Sequence, residues 1–83
     1  MKTIEIYTKN YCPYCHRAKE LLTQKGSIFV EYDVTRDPAK EQEMRQRSGR
    51  GSVPEIFVDG ELLGGCDDLF ELDENGRLDE RLG

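Results

Sequence analysis

The 83-residue sequence predicts an α/β domain with a mixed four-stranded sheet flanked by helices, in the order βαβαββα. Three observations predict it. Segments with a two-residue apolar period alternate with segments of helical period. The first helical segment lies between two strand-like segments, and a crossover of that kind joins parallel strands with a right-handed connection. Asp59-Gly60, between two short apolar runs, is a hairpin signal that makes the last two strands antiparallel.

Residues 3–8, Thr-Ile-Glu-Ile-Tyr-Thr, alternate with Ile4 and Ile6 on one face and Glu5 and Tyr7 on the other, which predicts the first strand. A short loop, Lys9 to Cys12, follows. Pro13 suits the first position of a helix, where its missing N–H costs nothing. Cys15, Ala18, Leu21 and Leu22 then recur at helical spacing, and Gly26 stands where a helix closes. Residues 28–34, Ile-Phe-Val-Glu-Tyr-Asp-Val, are β-branched and aromatic and predict the second strand. Asp37 is an N-cap with Pro38 at the first helical position, and the polar stretch from Ala39 to Arg47 predicts a thin surface helix with Met44 as its main apolar residue, stopping near Gly49. Val53-Pro54 leads into the third strand, Glu55-Ile-Phe-Val, and Glu61-Leu-Leu returns as the fourth. Gly64-Gly65 breaks that strand. Asp67 and Asp68 stand at the start of a short helix carrying Leu69, Phe70 and Leu72; Asn75-Gly76 ends it, and Leu78 and Leu82 suit a final helical turn against the core.

A chain of this length holds one hydrophobic core, not two. Leu, Ile, Val and Phe make up about 23% of it, just above the level at which disorder becomes the default expectation. The net charge of −5 argues against a general nucleic-acid binder. That charge is uneven: residues 1–50 carry +3 and residues 51–83 carry −8. Lys9, Arg17, Lys19 and Lys25 surround the first cysteines against Glu20 alone, which is either a solvated helix face or a local field favouring a thiolate or an anionic ligand. No apolar run approaches the roughly 18 residues of a membrane span. Glu5 interrupts the apolar N-terminal stretch, so it does not read as a secretory signal, and the expected location is the cytoplasm. Three cysteines, an odd number, argue against a disulfide-stapled secreted domain and favour a reactive or metal-binding pair with one further thiol.

Cys12-Pro13-Tyr14-Cys15 is the main chemical signal. A Cys-x-x-Cys where a strand gives way to a helix, inside a βαβ unit, reads as a redox pair. Cys12 falls at the N-cap, where backbone N–H groups lack intrahelical partners and the helix dipole places partial positive charge. Lys9 adds a cation nearby. Thiolates in such settings form at about pH 3.5–7.5 rather than near 8.5. Cys15 is in line with Ala18 and Leu22, so its sulfur is expected to be the more buried. Cys12 therefore attacks and Cys15 resolves. A zinc site would need four ligands, and beyond the pair only His16 and Cys66 are available. Cys-Pro-Tyr-Cys-His also matches the haem attachment pattern, but that chemistry needs an exported chain, an apolar pocket and a second axial ligand. Simple burial as small apolar residues suits Cys66 better than a pair flanking Pro13.

Two further signals are weaker alone. Val53-Pro54, on its residues, reads as a trans strand-entry proline, because only about 5–6% of such bonds in folded proteins are cis. Gly64-Gly65-Cys66-Asp67-Asp68 is either an ordinary glycine turn with acidic helix-start residues, or a close backbone approach whose free N–H groups take a carboxylate while the aspartates take an ammonium group.

Together, Cys12-Pro13-Tyr14-Cys15, Val53-Pro54 and Gly64-Gly65-Cys66-Asp67-Asp68, in this order and spacing, resemble the glutaredoxin family, specifically its small bacterial dithiol members. The resemblance covers essentially the whole chain. It implies a thioredoxin fold with strand order 2-1-3-4, a cis peptide before Pro54, and a monomer that uses glutathione as reductant, with no metal. It implies that Val53 pairs its backbone with the cysteinyl part of glutathione beside Pro54. N–H groups near Cys66 and Asp67 would take the γ-glutamyl carboxylate, the Asp67 side chain its amino group, and Lys9 the glycine carboxylate, while Tyr14 would line the groove; Gly65 and Asp68 belong to the same implied glutathione-binding set. The implied substrates are glutathionylated proteins and protein disulfides, including reductases such as ribonucleotide reductase. Tyr11 and Ser52 depart from the family, where threonine or serine and threonine respectively are common, and Cys66 is shared with some members only. Two other readings are a donor served by thioredoxin reductase and an iron–sulfur carrier that holds a cluster between two chains through Cys12. Lys9, Asp67 and Asp68 favour glutathione over the first, and the stiffness of Pro13 disfavours the second.

Overall fold

A computed structural model describes residues 2–83. Strand β1 (Ile4–Thr8) lies between β2 (Phe29–Asp33), which it pairs in parallel, and β3 (Glu55–Val58), which it pairs antiparallel; β4 (Glu61–Gly64) returns beside β3. The order is β2-β1-β3-β4. Helices α1 (Pro13–Gln24), α2 (Pro38–Ser48), α3 (Cys66–Glu74) and α4 (Leu78–Leu82) complete the chain. This is the thioredoxin fold with the mixed 2-1-3-4 sheet, as expected.

The helix ends follow local chemistry. Asp37 caps α2 by accepting the Lys40 N–H at 3.1 Å, with Pro38 at the first helical position. Gly26, in the left-handed region at φ 73°, lets Gly26 N–H and Ser27 N–H turn back to the carbonyls of Thr23 and Leu22, which closes α1. At the β3–β4 hairpin Asp59 and Gly60 have φ 50° and 83°, as a two-residue turn matching the strand twist requires. Helix α3 begins at Cys66, one residue before the aspartates that signal it.

The sheet is covered on both faces. On one, Ile4, Ile6, Ile56 and Val58 pack with Ala18, Leu21 and Leu22 of α1, Leu69 of α3, and Leu78 and Leu82 of α4. Truncating a fully buried member such as Leu22 to Ala costs about 2–5 kcal/mol. On the other face Tyr7, Phe57 and Val34 pack with Met44 of α2. This second face departs from the simple picture of a thin surface helix. Helix α2 has one large apolar residue, and charged side chains do the rest: Arg47 donates to Glu5 at 3.0 Å and to Tyr7 Oη at 2.8 Å, lies 4.1 Å from the Phe57 ring centre, and Tyr7 donates to Glu43. Both sides of β1 are therefore buried, and its Tyr7 is as enclosed as Ile6.

Candidate active site

The loop after the central strand carries the first cysteine. Cys12 has extended backbone angles (φ −99°, ψ 109°), the geometry of an N-cap, and Pro13 starts α1. The Cys12 N–H donates to the Lys9 carbonyl at 3.3 Å, which closes the loop. Its side chain then takes the place a capping oxygen would hold: Sγ accepts the Cys15 N–H at 3.2 Å. The Cys12 thiol also faces the Val53 carbonyl at 3.8 Å. Cys15, one turn further along α1, has no exposed surface. Burial, aided by the Cys12 side chain, pushes its thiol up to about 12. Both cysteines are buried, but they differ in the sense that the sequence leads one to expect: Cys12 keeps 9% exposure at a helix N-terminus, and Cys15 beneath it has none and is protonated.

The Val53–Pro54 peptide is cis. The trans reading made from the two residues alone is therefore corrected, and the form implied by the family resemblance is the one present. Local sequence carries only the general frequency of such bonds; the fold decides this one, at the point where the Val53 carbonyl meets the Cys12 sulfur.

The glycine pair is explained by close approach. Gly64 has φ 131°, and a Cβ there would run into the Asp68 carboxylate. A Cβ on Gly65 would meet the Pro54 carbonyl at 3.3 Å. Gly65 is the N-cap of α3, and its N–H donates to Asp68 Oδ2 at 2.9 Å. Cys66 follows as a buried first residue of α3, its thiol pushed up by burial, while Asp67 stands exposed at the rim.

Tyr14, Ser52, Val53, Pro54, Cys66 and Asp67 line one cavity of about 220 Å³. The structure therefore brings Tyr14, Val53, Pro54, Cys66 and Asp67 together, with Cys12 joined to them through Val53. Three expected site residues lie outside that lining: Gly65, which packs against the Pro54 carbonyl, Asp68 and Lys9. Asp68 turns to the Gly65 amide and to Arg50, 3.6 Å away, so its carboxylate holds the turn rather than facing the cavity. Lys9 lies outside the cavity lining and pairs with Glu41 of α2 at 3.4 Å. His16 meets the Asn10 carbonyl at 3.3 Å, and among the described residues no three His, Cys, Asp or Glu side chains gather at a metal-binding distance.

Three neighbours carry no sequence signal. Glu55, next to Pro54, is fully buried; Oε2 accepts from Ser52 Oγ at 3.2 Å, and Oε1 has no hydrogen-bond partner. Burial raises its pKa. Arg50 Nη1 sits 4.0 Å from that orphan oxygen and bridges to Asp68. Glu41 reaches the cysteine loop from another helix. Arg50 and Glu41 are charged residues in polar stretches and Glu55 opens an apolar strand, and only the tertiary fold distinguishes each from a solvated charge.

The glutaredoxin family model matches residues 4–63, from the central strand through the hairpin. The chain belongs to the glutaredoxin family. Glutaredoxin 3 of Escherichia coli K12 is 55% identical over 82 residues, covering 99% of both chains. Among solved structures, the solution structure of glutaredoxin from Brucella melitensis is 48% identical with a TM-score of 0.84, covering 96% of this chain and 87% of that one. The buckwheat glutaredoxin–glutathione complex is 30% identical with a TM-score of 0.87, covering 98% and 76% respectively. As a glutaredoxin the protein is a thiol–disulfide oxidoreductase, and Cys12 and Cys15 lie close together, the Cys15 N–H 3.2 Å from the Cys12 sulfur.

Proposed function

We propose that this glutaredoxin is a glutathione-dependent reductase of protein–glutathione mixed disulfides and of protein disulfides, with Cys12 as nucleophile and Cys15 as resolving thiol. One observation carries the assignment: Cys12 keeps 9% exposure and its sulfur receives the Cys15 amide at a helix N-terminus, whereas Cys15 has no exposed surface and a thiol raised by burial. An amide donor and the helix dipole both stabilise negative charge on the attacking sulfur.

On a mixed disulfide, the Cys12 thiolate attacks the glutathione sulfur; a Cys12–glutathione bond forms and the target thiolate leaves, taking a proton from water. A second glutathione thiolate attacks the bound glutathione sulfur, giving oxidised glutathione and returning the Cys12 thiolate. On a protein disulfide, Cys12 forms the mixed disulfide. Cys15 then loses its proton and attacks the Cys12 sulfur, releasing the reduced protein and leaving a Cys12–Cys15 bond. Two glutathiones reduce that bond in turn. In this reading Val53 pairs its backbone with the cysteinyl part of glutathione and Tyr14 lines the groove. The free N–H groups of Cys66 and Asp67 take the γ-glutamyl carboxylate and the Asp67 side chain its amino group. Lys9 takes the glycine carboxylate, and Asp68 acts indirectly by holding Gly65. The protein works as a monomer in the cytoplasm, and ribonucleotide reductase is a fitting protein acceptor. The glutathione bound by the buckwheat relative supports the choice of reductant.

The test is turnover of a small glutathione mixed disulfide with glutathione and glutathione reductase. Cys12→Ser abolishes it and Cys15→Ser keeps most of it. A dead Cys15→Ser beside an active Cys12→Ser reverses the roles. Turnover sustained by thioredoxin reductase but not by glutathione removes glutathione from the account.

A further inference from the structure

Lys9 is not free. Its ammonium group lies 3.4 Å from Glu41 Oε2, and the pair joins the catalytic loop to the first turn of α2, a separate element. The same Glu41 oxygen is 3.3 Å from Arg45 Nη2. One carboxylate is therefore held between two cations, one on the cysteine loop and one further along its own helix. The Lys9 ammonium, with Arg45 beside it, keeps the Glu41 carboxyl below the usual carboxylate range, so it is ionised at neutral pH. A carboxylate in that position occupies the cation that an incoming carboxylate needs, and it repels that newcomer as well.

We infer that Glu41 sets the affinity of this glutaredoxin for the glycine end of glutathione by competing for Lys9, and that Arg45 receives Glu41 when Lys9 turns to the substrate. This rests on the reading above that Lys9 meets the glycine carboxylate. The geometry favours an exchange over a fixed bridge. Arg45 already contacts the same oxygen, so Glu41 keeps a partner when Lys9 leaves. Solvent-accessible ion pairs of this kind are weak enough for a substrate to displace, with an effect on binding of up to about fivefold. Glu41 is thus a specificity-determining residue that touches neither sulfur.

The experiment measures KM and kcat for glutathione and for glutathione monoethyl ester, whose glycine carboxylate is masked, at low and high salt. Glu41→Gln is expected to lower the KM for glutathione by about two- to fivefold with kcat unchanged, to leave the ester unaffected, and to lose its advantage as salt rises. Arg45→Gln, which strengthens the hold of Glu41 on Lys9, is expected to raise the same KM by up to about fivefold. Lys9→Gln reports on the underlying assumption and raises KM for glutathione but not for the ester. If Lys9→Gln leaves glutathione and ester alike, the Lys9 subsite falls and the role of Glu41 with it. If Lys9→Gln behaves as stated while Glu41→Gln fails to lower KM, or lowers it equally for the ester, competition by Glu41 is overturned and the Lys9 subsite stands.

Discussion

The backbone amide of Cys15 points at the sulfur of Cys12 from 3.2 Å, so the buried cysteine supports the rim cysteine through its main chain while its own thiol stays sealed. Two sulfurs three residues apart thus differ in surroundings: one accepts an amide at a helix N-terminus, and the other is sealed with its thiol raised by burial.

Alkylation reads that difference. In native protein at pH 7, iodoacetamide is expected to label Cys12 ahead of Cys15 and Cys66, because the two latter thiols are raised by burial while the Cys12 sulfur sits at a helix N-terminus with an amide donor. Denatured protein takes three labels. The folded Cys15 thiol is raised from 9.0 to about 12, so its contribution is complete below pH 9.0 and declines as pH climbs from there toward 12. Equal labelling of Cys12 and Cys15 by peptide mapping would contradict this assignment.

Asp68 holds the start of α3 through the Gly65 amide at 2.9 Å. Asp68→Ala is expected to cost about 1 kcal/mol in urea unfolding and to raise KM for glutathione, since the turn that presents the free amides loosens. Asp68→Asn keeps an acceptor oxygen and is expected to recover most of both. If Asn behaves as Ala does, the capping bond is not what Asp68 supplies.

Glu55 has the opposite balance. Its carboxyl is raised by burial and its Oε1 lacks a hydrogen-bond partner. The folded chain therefore holds this proton more tightly than the unfolded one, and stability declines as pH rises above the ordinary glutamate value of 4.5. Glu55→Gln, which cannot ionise, is expected to be more stable than the parent by about 1 kcal/mol at neutral pH, with the advantage vanishing toward pH 4. A variant that is less stable at pH 7 would mean that the 4.0 Å approach of Arg50 outweighs the cost of burial.

The sequence made most of the fold legible, because its local signals agree with one another. Asp37-Pro38, Gly26, Asp59-Gly60 and Asn75-Gly76 each mark an element end by a mechanism confined to a few residues, and the ends fall there. Cys12 at an N-cap was equally plain, since Pro13 fixes the helix start. The second face of the sheet was not. Tyr7 alternates with Ile6 as a half-exposed strand would, and its burial depends on Glu43 and Arg47, more than thirty-five residues distant in the chain. The isomer at Pro54, the inward turn of Asp68 and the Lys9–Glu41 pair share that character. Each depends on which residues long-range folding brings opposite, and no periodicity encodes that.

The position of β1 has one more consequence. It is hydrogen-bonded along both edges and buried on both faces, and the cysteine loop begins at the residue after it ends. Fraying at the outer strand β2 must open this central ladder before it reaches the cysteine loop, so the amides of β1 are expected to be among the slowest to exchange with solvent. The protein can therefore be reduced and oxidised repeatedly at its rim while its interior stays closed.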